Sequence, residues 1–339
     1  MKAIVFKEFG DAEVLRLDEV PAPELRATDL LVRVRAAGVN RADLTHRRGG
    51  YGRPDFGDST LMGLEIAGEV IAIGDQTSGY RVGDRVMGVV GVVGGGAYAE
   101  IARIDYRMAM PVPAALDDVH AAAIPEVFVT AHEALIHLGR LQRGDSVLIH
   151  AAAGGVGSAA VQLAYASGAR IFATADAQKL ERVVQLGADH AIDYRAEDFG
   201  EVIARTTEGR GVDVVIDFIG APYFERNLGA LAHGGRLVQV GILGGGGKVG
   251  VELERILYRH LQILGTVMKS RPQVEKHAMV RRFREHWLER FSGGASLEPV
   301  VDSTFPLARA ADAHRRMESA ANVGKIILTM DDGDLVPAA

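Results

Sequence analysis

The stretch Val147-Leu148-Ile149-His150-Ala151-Ala152-Ala153-Gly154-Gly155-Val156-Gly157-Ser158 has the residue types of an anion cradle. An apolar run leads into a turn of alanines and glycines and then into the start of a helix. Small residues let the backbone close up against a phosphate, and the free amides and dipole of a helix start attract its charge. The order strand, turn, helix is what a dinucleotide pyrophosphate needs. One substitution marks it: Ala152 stands at the first glycine of the usual G-x-G-x-x-G, followed by Gly154 and Gly157. Ala153, Gly154, Gly155, Val156 and Gly157 are the residues expected to hold the phosphates. Asp176 follows a second apolar run, 22 residues after Gly154 (176 − 154). An acid about 20 residues beyond the turn receives the ribose 2′-hydroxyl of NAD, so this position taken alone favours NADH.

Other chemistries are excluded by composition. The chain has no cysteine, which removes disulfides, a cysteine nucleophile and any thiolate metal site. A net charge of −6 argues against a nucleic-acid or anionic-membrane binder. No stretch has the length and apolarity of a membrane span, and the first residues alternate like a strand rather than a signal peptide. A cytoplasmic protein is expected. His132 and His150 read as packed or surface histidines, since nothing pairs them with a nucleophile and an acid. Asn40 and Asp43 lie three apart at a strand-to-helix junction, where Asn40 suits a cap for a helix starting at Arg41. The basic loop from His46 to Arg53 reads as a solvated face able to recruit an anion. Glu126 reads as a helix N-terminal acid.

These groups need a scaffold. Near-continuous Val/Ile/Leu runs predict strands over 146–151, 170–175, 190–194, 212–219, 236–242 and 262–267. Helical patterns lie between them, over 156–166, 177–186, 198–207, 223–231 and 252–260. The predicted class is α/β, with a doubly wound parallel sheet of six strands. Roughly the first 120 residues hold short strands broken by Gly and Pro, such as 30–36, 65–72 and 85–90, and predict a mostly antiparallel β domain. Helices near 272–291 and 308–321 and a strand over 324–330 are expected to return to it, ahead of a frayed tail over 331–339. The predicted division is 1–124 with 267–339, and 125–266. The ligand is expected in the cleft between them.

Several segments together match one family: Gly38-Val39-Asn40-Arg41-Ala42-Asp43, Gly63-Leu64-Glu65-Ile66-Ala67-Gly68, Gly83-Asp84-Arg85-Val86, Ala123-Ile124-Pro125-Glu126 with Thr130-Ala131, and the turn from Ala152 to Gly157. The chain resembles the zinc-independent quinone oxidoreductases of the medium-chain dehydrogenase/reductase superfamily, over nearly its whole length. It is most similar to the tumour-suppressor-induced quinone reductase branch, through Ala123-Ile124-Pro125-Glu126, Ile216-Asp217-Phe218-Ile219-Gly220 and Lys269-Ser270-Arg271. The resemblance implies a GroES-like β domain beside a Rossmann domain. It implies that Asn40 faces the nicotinamide and that Tyr51 lines the acceptor opening, with Asp43 serving the site or only its structure. Some relatives carry a second tyrosine where this chain has Thr45. Thr130, Phe218, Gly241, Ile242, Leu243, Met268, Lys269 and Ser270 match residues around the nicotinamide. Lys179 and Tyr194 match residues that contact the 2′-phosphate of NADPH. Asn40 and Leu64 stand where zinc alcohol dehydrogenases carry a cysteine and a histidine ligand, so no catalytic metal is expected.

The resulting expectation is NADPH-dependent hydride transfer from nicotinamide C4 to a quinone, with NADH also possible as donor. A homodimer is expected through the apolar edge around 237–242, with small-molecule acceptors as the other partners. Two alternatives stay open. One is an enoyl or haloacrylate-type alkene reductase, for which Arg47, Arg48 and Arg53 would suit a carboxylate or thioester. The other is a non-catalytic NADPH-binding protein.

Overall fold

A computed structural model describes residues 1–50, 61–91, 95–292 and 297–330. Tyr51, Arg53 and the tail after residue 330 lie outside the described residues. The chain divides into two compact units, Met1–Val129 with Arg271–Ala339, and Thr130–Ser270.

The Thr130–Ser270 unit is built on six parallel strands. In space they run His190–Asp193, Arg170–Ala175, Ser146–Ile149, Val212–Asp217, Leu231–Gln239, Gln262–Gly265. Numbered by sequence this is the order 3-2-1-4-5-6, the doubly wound arrangement that places its crevice where the order reverses. Every residue of Val212–Asp217 is buried, which explains why its sequence is continuously apolar between two aspartates. Leu148, Phe172, Val215, Leu228 and Leu237 pack into one core with Phe199 and Ile203 of the helix Phe199–Thr206. That helix starts where Asp198 accepts the N–H groups of Gly200 and Glu201. The segment after Asp176 differs from the predicted single helix. A 3-10 turn, Ala177–Lys179, precedes a short helix, Leu180–Gln185.

One sheet edge differs from the reading of the sequence. Leu237 lies in Leu231–Gln239, which is paired on both sides and is interior to the sheet. The strand that closes the sheet there is Gln262–Gly265. Leu237 and Val238 are apolar because they are buried inside the sheet, not because they form a free edge. Outward-facing apolar residues are found just past Leu231–Gln239, at Ile242 and Leu243, and on the helix Leu253–Arg259, where Leu253, Leu257 and Tyr258 are exposed.

The other unit carries a seven-stranded sheet in the order Val301–Pro306, Lys325–Thr329, Asp29–Val39, Glu65–Ile73, Arg85–Val89, Ala109–Pro111, with Ile101–Asp105 also paired to Asp29–Val39. Only the Val301–Pro306 and Lys325–Thr329 pair is parallel. The C-terminal segment thus returns to the first unit, and its register sets Ile326 opposite Val39. The helices Gln273–Trp287 and Ala310–Glu318 belong to the same unit. Among the described residues no helix is long and apolar enough to cross a membrane.

Candidate functional site

In the Thr130–Ser270 unit the glycine turn has the form its sequence implies. The strand ends at Ile149 and the helix Gly155–Ala166 begins after Gly154, which is extended (φ −75°, ψ 176°) and brings no side chain to cap it. The turn closes through the Gly154 N–H donating to the Ala151 carbonyl at 2.9 Å, with Ala151 itself at φ +48°. The first-turn amides of an uncapped helix need an acceptor, and a phosphate supplies one. Gly157 has a different task. A Cβ there would press on the Ala151 carbonyl oxygen and lie 2.8 Å from Ala152 Cα, so only glycine lets the helix sit this close to the strand. At Gly154 a Cβ would meet only Ala151 O, at 3.3 Å. Ala153, Gly154, Gly155, Val156 and Gly157 are therefore together, as their adjacency required.

Asp176 and Tyr194 also come together. They end neighbouring strands, and the Tyr194 hydroxyl donates to Asp176 Oδ1 at 2.9 Å. Arg195 joins them, with Nη2 at 3.0 Å from the same oxygen and its guanidinium over the Tyr194 ring. Sequence reasoning passed over Arg195, although its place next to Tyr194 just past a strand was the available signal. Lys179 closes the 3-10 turn that Asp176 opens.

A second group forms beside Asp217. Its buried carboxylate accepts the N–H groups of Ile219 (2.6 Å) and Gly220 (3.1 Å), bending the chain after Phe218. The Leu243 N–H then donates to the Phe218 carbonyl at 2.9 Å, so Phe218 lies beside Gly241, Ile242 and Leu243. Met268, Lys269 and Ser270 form a 3-10 turn. It follows Thr266, whose N–H donates to Gln239 O. Thr130 lies on the helix Pro125–His132 and is half-buried. His150 is fully buried between Thr174 (2.9 Å) and Asn227 (2.8 Å) and against Phe199 and Tyr223. Burial pushes its pKa down to about 4, which marks a packed neutral imidazole.

The first unit holds a buried polar cluster. Antiparallel register sets Gly38 opposite Glu65 and Val39 opposite Ile326. The Glu65 carboxyl lies over Gly38, where a Cβ would come within 2.7 Å of its Cδ. Lys325, one residue before Ile326, reaches under the chain and donates to Asn40 Oδ1 (2.6 Å), the Val39 carbonyl (2.8 Å) and Glu65 Oε1 (2.6 Å). The Asn40 amide donates to Glu65 Oε1 (3.0 Å) and the Gly38 carbonyl (3.3 Å). Both of its N–H bonds are thereby used, and its orientation is fixed. The other Glu65 oxygen accepts the Glu126 N–H at 2.7 Å, so a carboxyl from a distant strand satisfies an orphan amide at the start of Pro125–His132.

Asn40 is also the cap of the helix Arg41–Arg47, as its position implied. Its N–H donates to Asp43 Oδ2 at 2.8 Å, and the same oxygen accepts the Tyr98 hydroxyl at 2.9 Å. Asp43 is 1% exposed. Burial pushes its pKa up to about 7, against the opposing pull of these two donors and Lys325. Beyond Tyr98 stand His314 and Arg47, both fully buried. Arg47 can only donate, so His314 Nδ1 at 3.2 Å accepts from it. Burial pushes the His314 pKa down to about 3, and the neutral ring then carries its proton on Nε2, 3.3 Å from the Tyr98 oxygen. A directed chain of bonds runs from Arg47 through His314 and Tyr98 to Asp43.

Arg47 corrects the solvated-face reading of the basic loop. It ends the helix Arg41–Arg47 and turns inward to the Gly10 carbonyl (3.0 Å), His314 and Glu318. The helix Ala310–Glu318 offers His314 and Glu318 four residues apart on one face, which is the partner that a linear reading could not supply. Arg48 is exposed and pairs with Glu318 at 2.8 Å. Glu126 was also missed as more than a helix-start acid. It is half-buried, and its carboxyl faces the charges of Lys325, Glu65 and Asp43; the low-dielectric surroundings push its pKa up to about 7.

Comparison with known proteins agrees on one lineage. Residues 26–114 match the alcohol dehydrogenase GroES-like domain, and residues 155–284 match a zinc-binding dehydrogenase domain. The human quinone oxidoreductase is 31% identical over 335 residues, covering 97% of this chain and 98% of that protein. An Escherichia coli quinone oxidoreductase solved with NADPH superposes with a TM-score of 0.84 at 29% identity, covering 97% of this chain and all of that one. The CurK enoyl reductase superposes with a TM-score of 0.83 at 30% identity, covering 97% and 99% of the two chains.

Proposed function

This chain belongs to the quinone oxidoreductase family of the medium-chain dehydrogenases/reductases, and from that premise we propose that it is an NADPH-dependent, zinc-independent quinone reductase. The observation that carries the reading is the uncapped start of Gly155–Ala166, packed against its strand through Gly157. When bound, the cofactor supplies a hydride from nicotinamide C4. The chain's part is to hold and orient. Ala153, Gly154, Gly155, Val156 and Gly157 take the pyrophosphate. Thr130, Phe218, Gly241, Ile242, Leu243, Met268, Lys269 and Ser270 take the nicotinamide end. Asn40 and Tyr51 serve the acceptor, with Asn40 immobilised by Lys325 and Glu65 and its backbone N–H held by the buried Asp43, whose part is to position. Catalysis rests chiefly on positioning and exclusion of water.

The surroundings of Asp176 support a preference for NADPH. An isolated acid there would repel a 2′-phosphate. Here Arg195 and the Tyr194 hydroxyl already engage that carboxylate, while Lys179 and Arg195 offer cations for charge-assisted bonds. Zinc independence follows from the donors. The chain has no cysteine, Leu64 is apolar and buried, and the Asn40 amide is committed to Glu65 and Lys325. These groups do not make a zinc site. The protein is read as a cytoplasmic homodimer, and the outward apolar face of Leu253, Leu257 and Tyr258 suits a second copy.

An enoyl reductase is the second reading, favoured by the likeness to CurK. The deciding experiment follows NADPH and NADH oxidation with 1,4-benzoquinone, 9,10-phenanthrenequinone and crotonyl thioester as acceptors. Quinone-dependent oxidation is expected, with Lys179→Ala weakening NADPH about tenfold more than NADH, the size of one charge-assisted bond. Turnover of the thioester alone would replace the quinone reading. Saturable NADPH binding without turnover would make the chain a binding protein.

A further inference from the structure

Reduction of a quinone or an enone adds a hydride and a proton, and the assignments above leave the proton without a source. We propose that the Glu126 carboxyl delivers it. The proposal rests on the reductase reading and on the geometry around Glu65. Within the first unit that single carboxyl joins two segments: one oxygen holds the Asn40 amide and Lys325, and the other holds the Glu126 N–H. Glu126 is therefore fixed at a helix start one bridging group away from Asn40. Among the described residues, three carboxyls, Asp43, Glu65 and Glu126, share the ammonium of Lys325. Asp43 and Glu65 are sealed, at 1% and 0% exposure, whereas Glu126 keeps contact with solvent. Of the three it alone can both hand a proton to a bound acceptor and recover one from water.

The step balances simply. The Glu126 O–H bond breaks as an O–H bond forms on the reduced quinone oxygen, or a C–H bond on the α-carbon of an enone. The hydride comes from the cofactor, the carboxylate remains on Glu126, and water restores the proton. The groups that face Glu126 are Lys325 from the C-terminal strand, Glu65 from the central sheet and Asp43 from the first helix. Burial pushes the Glu126 pKa up, the pull of Lys325 opposes it and the two acids add to it, leaving it at about 7. A proton donor must be loaded, so the rate is present below this pKa and falls as pH rises through it.

Glu126→Gln keeps the shape and the backbone N–H, and it should lower kcat at pH 6 about 100-fold, the usual size of general-acid catalysis. It should also flatten the fall of kcat above pH 7 and leave NADPH affinity unchanged. Glu126→Asp should retain part of the rate. A readout independent of turnover is the infrared C=O band of protonated carboxyls in the cofactor-free protein. Asp43 and Glu126 both contribute components titrating near pH 7 in the wild type, so Glu126→Gln should lose one of the two, about half of that amplitude, while Asp43→Asn removes the other. A wild-type enzyme that turns over while Glu126→Gln keeps its rate, its pH profile and the full infrared amplitude near pH 7 overturns the assignment and leaves the reductase reading intact. A wild type that oxidises NADPH with none of the acceptors overturns both.

Discussion

The two units carry candidate sites built in opposite ways. The glycine turn in Thr130–Ser270 is contiguous, made of backbone, and needs side chains to be absent. The cluster in the other unit is made of side chains, drawn from residues 40, 65, 126 and 325, and needs every charge to be answered. A backbone site fails when an atom is added. A charged cluster fails when one is removed.

The largest effect should come from the cluster. Lys325→Met leaves the Glu65 carboxyl buried without its ammonium, and breaking a buried pair in this way costs about 3–5 kcal/mol. Urea denaturation should show it, while Arg107→Met at the exposed pair with Asp105 should cost less than about 1 kcal/mol. Equal losses would mean that the cluster is no more than surface electrostatics.

Next comes pH. His150 is held neutral in the fold with a pKa near 4, against 6.5 for the free side chain. Below pH 6.5 the unfolded chain takes up this proton first. The stability that His150 confers is therefore complete above pH 6.5 and is lost as pH falls toward 4, by roughly 3 kcal/mol. Asp43 works the other way: its raised pKa makes the fold bind a proton that the unfolded chain releases, so its penalty grows as pH rises from about 4 to 7. Comparing stability against pH for wild type and His150→Gln isolates the first contribution, and parallel curves would refute it.

The smallest effect sharpens the contrast inside the turn itself. Gly157→Ala forces the helix off the strand and should cost about 1–3 kcal/mol, with a tenfold or larger rise in the Kd for NADPH. Gly154→Ala meets a single atom at 3.3 Å and should cost clearly less. Calorimetric titration with NADPH ranks the two, and a reversed order would place the close approach at the wrong glycine.

The same contrast explains what could be read in advance. The parallel strands announce themselves because burial on both faces makes them continuously apolar, and the turn because its close helix-to-strand approach needs consecutive small residues. The junction at Asn40 was legible as a cap for the same local reason. The bridging role of Glu65, the reach of Lys325 and the inward turn of Arg47 depend on strand register and on a helix some 270 positions away (314 − 47 = 267). No local pattern encodes those. Arg195 sits between the two cases: its neighbour Tyr194 was visible, but its partner Asp176 is reached only across adjacent strands.

Lys325 has a consequence for synthesis. The ribosome makes Thr130–Ser270 in full, with its sheet and glycine turn, before Lys325 is translated. A nascent chain can hold a finished dinucleotide fold while Glu65, made far earlier, still lacks its cation. The glycine turn can thus be complete before the polar cluster is, and the last strand to be added is the one that locks Asn40 in place.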